Sequence, residues 1–172
     1  FKKIASEIVD ETINNELSFY NKEVPAINTI KIENNKLIGY NTDYFGFSSL
    51  LFKKIESLDK IKKIIILGAG GAAKSIAYGL IRGFRNRKKD ETRNLLILNR
   101  SPSKAEELSH ALKNIDSPLK LSHGSLDKFE ENIENCDLLI NSTSLGMEGI
   151  DANLTLNLDN SKKDLFVYDI VY

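Results

Sequence analysis

Ile64-Ile65-Ile66-Leu67-Gly68-Ala69-Gly70-Gly71-Ala72-Ala73-Lys74-Ser75 decides the fold: an unbroken apolar run stops at a glycine-rich turn, and small residues then open a helix. An all-apolar run suits a parallel strand covered on both faces. Gly68 permits the tight turn, and Gly70 lets a pyrophosphate approach the backbone. Ala73 stands where the third glycine of G-x-G-x-x-G/A allows close helix-on-strand packing. The N–H groups and dipole of the helix start then face the anion. Glycine turns also close ordinary βα units. Here the strand before and the helix after favour dinucleotide binding through Gly68, Ala69, Gly70, Gly71 and Ala72.

Downstream, the pattern alternates: strand 62–67, helix 71–83, strand 94–99, helix 102–114, strand 119–122, helix 125–134, strand 137–141 and strand 165–171. Strands separated by helical stretches imply a parallel sheet with crossover helices. The second strand ends Leu98-Asn99-Arg100-Ser101, where an NAD site usually places an acidic residue for the ribose hydroxyls. Asn99 and Arg100 stand there instead, with Lys104 one helical turn on. A guanidinium can bind a 2′-phosphate with paired, charge-assisted bonds that a carboxylate would refuse. Ser101 can add a hydroxyl and cap the helix begun by Pro102. The pattern favours NADP over NAD, against the blander reading of a capped helix with surface cations. The fourth strand ends Asn141-Ser142-Thr143-Ser144-Leu145-Gly146-Met147. Ligands gather outside the carboxyl ends of such strands. Ser142 and Thr143 are therefore candidates for ribose or nicotinamide hydrogen bonds, and Leu145 and Met147 for the ring's apolar face.

Upstream, Ile4, Ile8, Ile13 and Leu17 suit an amphipathic helix from Lys2 to about Phe19. Ala26–Ile32 and Leu37–Tyr40 read as two short strands around the polar turn Glu33-Asn34-Asn35-Lys36. Asn41-Thr42-Asp43 follows as a capping loop before a helix over Tyr44–Ile55. The basic run Arg82 to Arg93 reads as a solvated loop insertion rather than a nucleic-acid patch, since no aromatic platform accompanies it. Glu148 to Lys163 reads as a polar surface loop.

Lys+Arg and Asp+Glu balance at 24 each, so no bulk charge points to nucleic acid or an anionic membrane. No apolar run approaches the roughly 20 residues of a membrane span. Cys136, the only cysteine, excludes an internal disulfide and reads as a small buried thiol at a strand entrance. His110 and His123 read as surface histidines without partners at metal-ligand spacing, so no metal site is expected. These features suit a reducing, cytoplasmic setting. The chain opens on Phe1 and ends on the strand-like Leu165–Tyr172, which reads as a segment of a longer protein.

Taken together, the motifs resemble the shikimate dehydrogenase family over nearly the whole chain. They are Ala26-Ile27-Asn28-Thr29-Ile30, Gly39-Tyr40-Asn41-Thr42-Asp43-Tyr44-Phe45-Gly46, the glycine turn, Asn99-Arg100-Ser101, Asn141 to Met147 and Asp169-Ile170-Val171-Tyr172, in family order. The resemblance implies an α/β architecture: a Rossmann-type NADP-binding domain over 46–172, preceded at 1–45 by the remainder of a small α/β substrate-binding domain. It implies reversible hydride transfer between NADPH and 3-dehydroshikimate, giving shikimate, on the route to chorismate and the aromatic amino acids. Asn28 and Asp43 would contact the substrate, with Asp43 also in the catalytic site. Lys2 would be the catalytic lysine, Lys3 remaining the alternative, and Tyr172 would lie near substrate and nicotinamide. Read without the family, Asp43 is a helix cap and Lys2 a solvated lysine. A nascent alkoxide needs a proton or a nearby positive charge, which a lysine held by a carboxylate supplies. The family's N-terminal strands and its C-terminal helix have no counterpart in the chain. A quinate/shikimate dehydrogenase relative and a non-catalytic sensor or repressor of the same fold stand as competing readings. A homodimer and a module of a multifunctional pathway enzyme both remain open.

Overall fold

The structure is a computed structural model that describes residues 28–33, 36–55, 58–85, 92–113, 115, 117–145 and 155–170. The expected helix over Lys2–Phe19, with Lys2 itself, lies outside the described residues. So do Gly146, Met147, Tyr172 and residues 86–91 and 148–154 of the two expected surface loops.

A two-stranded antiparallel ladder, β1 (Thr29–Glu33) with β2 (Lys36–Tyr40), comes first. Helix α1 (Thr42–Lys54) follows directly. Then strands and helices alternate: β3 (Lys63–Leu67), α2 (Gly71–Arg85), β4 (Arg93–Asn99), α3 (Pro102–Lys113), β5 (Leu119–Ser125), α4 (Phe129–Ile133), β6 (Leu138–Asn141) and β7 (Phe166–Asp169). The sheet is wholly parallel, in the order β5-β4-β3-β6-β7. Renumbered from β3, that is the 3-2-1-4-5 order of the Rossmann fold, whose direction reverses between β3 and β6.

β3 shows why its sequence is uniformly apolar. Ile64 and Ile66 enter one core with α2 and α3, while Ile65 and Leu67 enter the other with Phe129, Ile133 and Leu139. All four are fully buried. Asp137 and Cys136 organise the strand entrances. Asp137 Oδ2 accepts from the amides of Lys62 and Lys63, each at 2.8 Å, and Lys162 Nζ donates to its other oxygen. Burial alone would push the Asp137 carboxyl up. The bonds from Lys162 and the two amides outweigh it and hold the carboxyl below its ordinary range. Cys136 is the buried thiol expected, and burial pushes it up to about 11.

Three expectations need correction. β5 runs three residues beyond 122, because Ser122–Ser125 continue the ladder with Leu96–Asn99; hydrogen bonds to β4 override the weak strand preference of Ser-His-Gly-Ser. The helix expected over 125–134 is accordingly a 3-10 turn, Leu126–Lys128, leading into the short α4. Arg93, the last residue of the basic run, is not solvated at all. It is 1% exposed, lies over the Phe84 ring at 5.0 Å from its centroid, and pairs with Asp59 at 3.6 Å.

α1 lies along α2 in the same direction. Asn41 Nδ2 donates to Ser75 Oγ at 2.7 Å; a Cβ on Gly79 would meet Tyr44 and Ser48, and one on Gly83 would meet the Phe52 ring. The contacts advance by four residues on α2, so Ser75, Gly79 and Gly83 form one ridge that α1 rides closely. Tyr44 packs edge-on to Tyr78, with centroids 5.5 Å apart. Because the two helices run parallel, their N-termini sit at the same end, beside the carboxyl ends of the strands.

Candidate functional site: a cleft at the strand switch point

Gly68 has φ +104°, a conformation that side-chain-bearing residues rarely adopt, and its amide donates to Leu98 O at 2.8 Å. The turn thus leaves β3 tied to β4 on one side. On the other side Ser142 N donates to the Leu67 carbonyl at 2.9 Å and Ser142 Oγ to the same oxygen at 2.7 Å. Between these anchored strand ends opens a cleft of about 970 Å³. Small-molecule sites occupy roughly 300–1,000 Å³, so the space suits a dinucleotide-sized ligand.

The cleft brings together most of the residues singled out in the sequence. Gly68, Ala69, Gly70, Gly71, Ala72, Asn99, Arg100, Ser101, Lys104, Ser142, Thr143, Leu145 and Asp43 all line it. Gly70 has nothing within 4 Å of where a Cβ would stand, leaving its backbone open to an approaching phosphate. The first turn of α2 behind it carries no acidic residue, so the positive helix end is uncompensated. Arg100 is exposed on the rim just beyond β4, with Lys104 on α3 beside it. A pyrophosphate on the turn and a further phosphate near Arg100 both meet favourable charge.

The polar side chains are more committed locally than the sequence implied. Asn99 Nδ2 donates to Ser101 O at 3.0 Å and holds the 99–101 bend. Ser101 closes the first turn of α3 with its carbonyl, which accepts from Lys104 N; its hydroxyl meets Ser103 Oγ rather than a backbone amide. Thr143 Oγ1 donates to Asn141 Oδ1 at 2.8 Å, and Asn141 Nδ2 reaches the Asp169 carboxylate at 3.2 and 3.3 Å. The hydroxyls of Ser142 and Thr143 therefore knit the β6 exit together. Toward the cleft they offer lone pairs and backbone.

Asp43 does not cap its helix. Asn41 does, its Oδ1 accepting from Tyr44 N at 3.0 Å. Asp43 sits in the first turn of α1, and its carboxylate accepts from Asn28 Nδ2 at 2.6 Å. Asn28 also donates to Thr42 Oγ1 at 2.9 Å and accepts from Thr42 N and Thr29 Oγ1. With both amide hydrogens and both lone pairs of the oxygen engaged, Asn28 acts here as a rigid brace for Asp43.

Several lining residues were not foreseen. Phe47 and Ile76 face the cleft from α1 and α2, and Tyr168 and Ile170 from the end of β7; Phe47 and Tyr168 pack edge-on with centroids 5.1 Å apart. Phe47 lies one helical turn from Asp43, a spacing that could have revealed it. Glu107, Leu126 and Ser144 complete the lining. Contrary to expectation, His110 and His123 have partners: with Glu106 they place one donor atom each within 4.8 Å of one another, away from the cleft lining.

The strand order, the glycine turn and the cleft at the reversal define a Rossmann-type nucleotide-binding module. Residues 50–172 match the family model for shikimate / quinate 5-dehydrogenase, and the chain belongs to that family. The shikimate dehydrogenase (NADP(+)) of Methanococcus maripaludis strain S2 is 40% identical over 154 residues, which cover 87% of this chain and 50% of the relative. That of Aquifex aeolicus is 36% identical over 153 residues, covering 88% and 49%. Among solved structures, shikimate dehydrogenase from Aquifex aeolicus matches with TM-score 0.72 and 32% identity, over 98% of this chain and 56% of its own. A shikimate dehydrogenase in complex with NADP+ matches with TM-score 0.69 and 28% identity, over 100% and 64%. The chain spans about half the length of the curated relatives it matches. Among the described residues no helix is long and apolar enough to cross a membrane.

Proposed function

We propose that the full-length protein catalyses reversible hydride transfer between NADPH and 3-dehydroshikimate, giving shikimate. The observation that carries this is the parallel seating of α1 on α2. It sets the braced Asp43 carboxylate and the open glycine turn on one cleft. Segment 1–45 then belongs to the substrate side and 46–172 to the cofactor side, with α1 running from one into the other.

The residues present fit a phosphorylated dinucleotide. Gly70 leaves room at the backbone, the helix start carries no acidic residue in its first turn and so favours an anion, and Arg100 with Lys104 suits a 2′-phosphate. When bound, the nicotinamide supplies or accepts the hydride. Asn28 and its bonds to Thr42 hold the Asp43 carboxylate in one position, where it accepts from a substrate hydroxyl and orients Lys2. Lys2 delivers the proton that the new alkoxide requires, or its charge stabilises it. Leu145, Met147 and Phe47 exclude water from the reacting face, and Tyr172 contacts the substrate. The reaction takes place on a small molecule in the cytoplasm, in a homodimer or within a multifunctional enzyme.

The test is a spectrophotometric assay of the full-length protein, with shikimate and quinate each offered NADP and NAD. Shikimate with NADP is expected to turn over fastest. Equal rates with both nucleotides would remove the role given to Arg100, and no oxidation of shikimate would remove the proposal.

A further inference from the structure

The chain has two histidines, and the fold brings both to one place. Glu106 and His110 lie one turn apart on α3, and His123 lies on β5, the outermost strand on that side of the sheet. His123 shares its strand face with Leu119 and Leu121, which pack into the core beneath α3. It therefore projects toward the helix rather than away from it. His110 Nε2 stands 3.8 Å from Glu106 Oε1, and the two imidazole centroids are 6.3 Å apart. None of the three lines the cofactor cleft.

We propose that Glu106, His110 and His123 form a surface site for a first-row transition-metal dication of the zinc type. Two imidazoles and a carboxylate are the borderline nitrogen and oxygen donors that such ions take, with water in the fourth position. Calcium and magnesium prefer an all-oxygen shell and are poorly served. Donors about 2.0–2.1 Å from a tetrahedral ion stand roughly 3.4 Å apart. The three atoms, all within 4.8 Å of one another, reach that spacing by moving inward about an ångström. The movement is inexpensive, because the His110 and Glu106 side chains are 61% and 57% exposed and free to change rotamer. Bound metal would tie the edge strand to the helix that covers it. This site stands independently of the proposed dehydrogenase activity.

The test uses the full-length protein stripped with a chelator, titrated with zinc sulfate in competition with a chromophoric indicator, and separately with magnesium chloride. Wild type is expected to take up zinc at micromolar concentration, and magnesium not at all. His110→Ala and His123→Gln should each weaken the zinc step by at least roughly ten-fold, with Glu106→Gln weakening it less. His110 and Glu106 are exposed on a helix surface, so their variants keep the fold if His123→Gln does not. Catalytic rate without metal should stay the same in the His110 and Glu106 variants. Zinc uptake unchanged in the His110 and Glu106 variants, magnesium bound as well as zinc, or no zinc step in wild type would each overturn the proposal.

Discussion

Replacing Gly68 by alanine separates the structural and ligand-facing roles of the glycine turn. At φ +104° an alanine carries backbone strain of about 1–3 kcal/mol. Its Cβ would also stand 2.8 Å from Ser142 Oγ and 3.1 Å from the Ser142 carbonyl carbon and oxygen. Ser142 cannot easily yield. Its amide and hydroxyl both donate to Leu67 O, and moving it loosens bonds worth about 1 kcal/mol each. The less flexible unfolded chain returns about 0.4–1 kcal/mol. The net loss is therefore about 2 kcal/mol. Gly70→Ala is the contrast: it meets nothing within 4 Å, and no strained φ is involved. That variant should stay within about 1 kcal/mol of wild type, the cost of alanine at a helix start. It should bind NADP at least roughly ten-fold more weakly, because the methyl fills space a phosphate needs. Urea unfolding followed by circular dichroism reads the first quantity, and fluorescence titration with NADP the second. A Gly68→Ala loss below about 0.5 kcal/mol, or equal losses for both variants, would refute the account of the switch point.

Arg100→Asp should cut the preference for NADP over NAD by at least roughly ten-fold in kcat/KM, since a carboxylate repels the 2′-phosphate; an unchanged ratio would place that phosphate elsewhere. Lys2→Ala should lower turnover by orders of magnitude while NADP titration stays near wild type, and surviving activity would move the role to Lys3 or another residue. Asp137→Asn should cost about 1–3 kcal/mol at neutral pH. The Asp137 carboxyl is held below its unfolded value of about 3.9, so its contribution is complete above that pH and fades as pH falls further. The gap between wild type and variant in thermal midpoint should thus be constant from neutrality to about pH 5 and close below about pH 4. Ser109 is fully buried with no partner for its hydroxyl among the described residues, so Ser109→Ala should stabilise by about 1 kcal/mol. Calorimetry showing a loss would mean that the hydroxyl is satisfied.

The sheet was legible because β3 must bury both faces: no polar residue is tolerated from Ile64 to Leu67, and such a run followed by Gly68 has few other solutions. The cleft residues followed from the same rule, since the ends of β3, β4 and β6 are marked by Gly68, Asn99 and Asn141. What the sequence did not disclose depends on contacts between distant segments. Arg93 reads as one more cation in a basic run until Phe84 and Asp59 are seen beside it. His110 and His123 look solitary along the chain because a helix-to-strand crossover separates them.

The packing of α1 is the case with functional weight. Ser75, Gly79 and Gly83 recur every four residues, a spacing visible in the sequence, yet nothing there says which helix occupies the ridge. The occupant decides the chemistry. The Phe52 ring lies where a Cβ on Gly83 would be, so a side chain there would displace that ring from α2. At the other end the Asn41–Ser75 bond, the Tyr44–Tyr78 ring pair and the close approach of Tyr44 and Ser48 to Gly79 hold the start of α1, and with it Asp43, on the ridge. The small residues on α2 thus do more than close a core: they let α1 lie close against α2, with the first turns of both helices on the cleft that Asp43 and the glycine turn line.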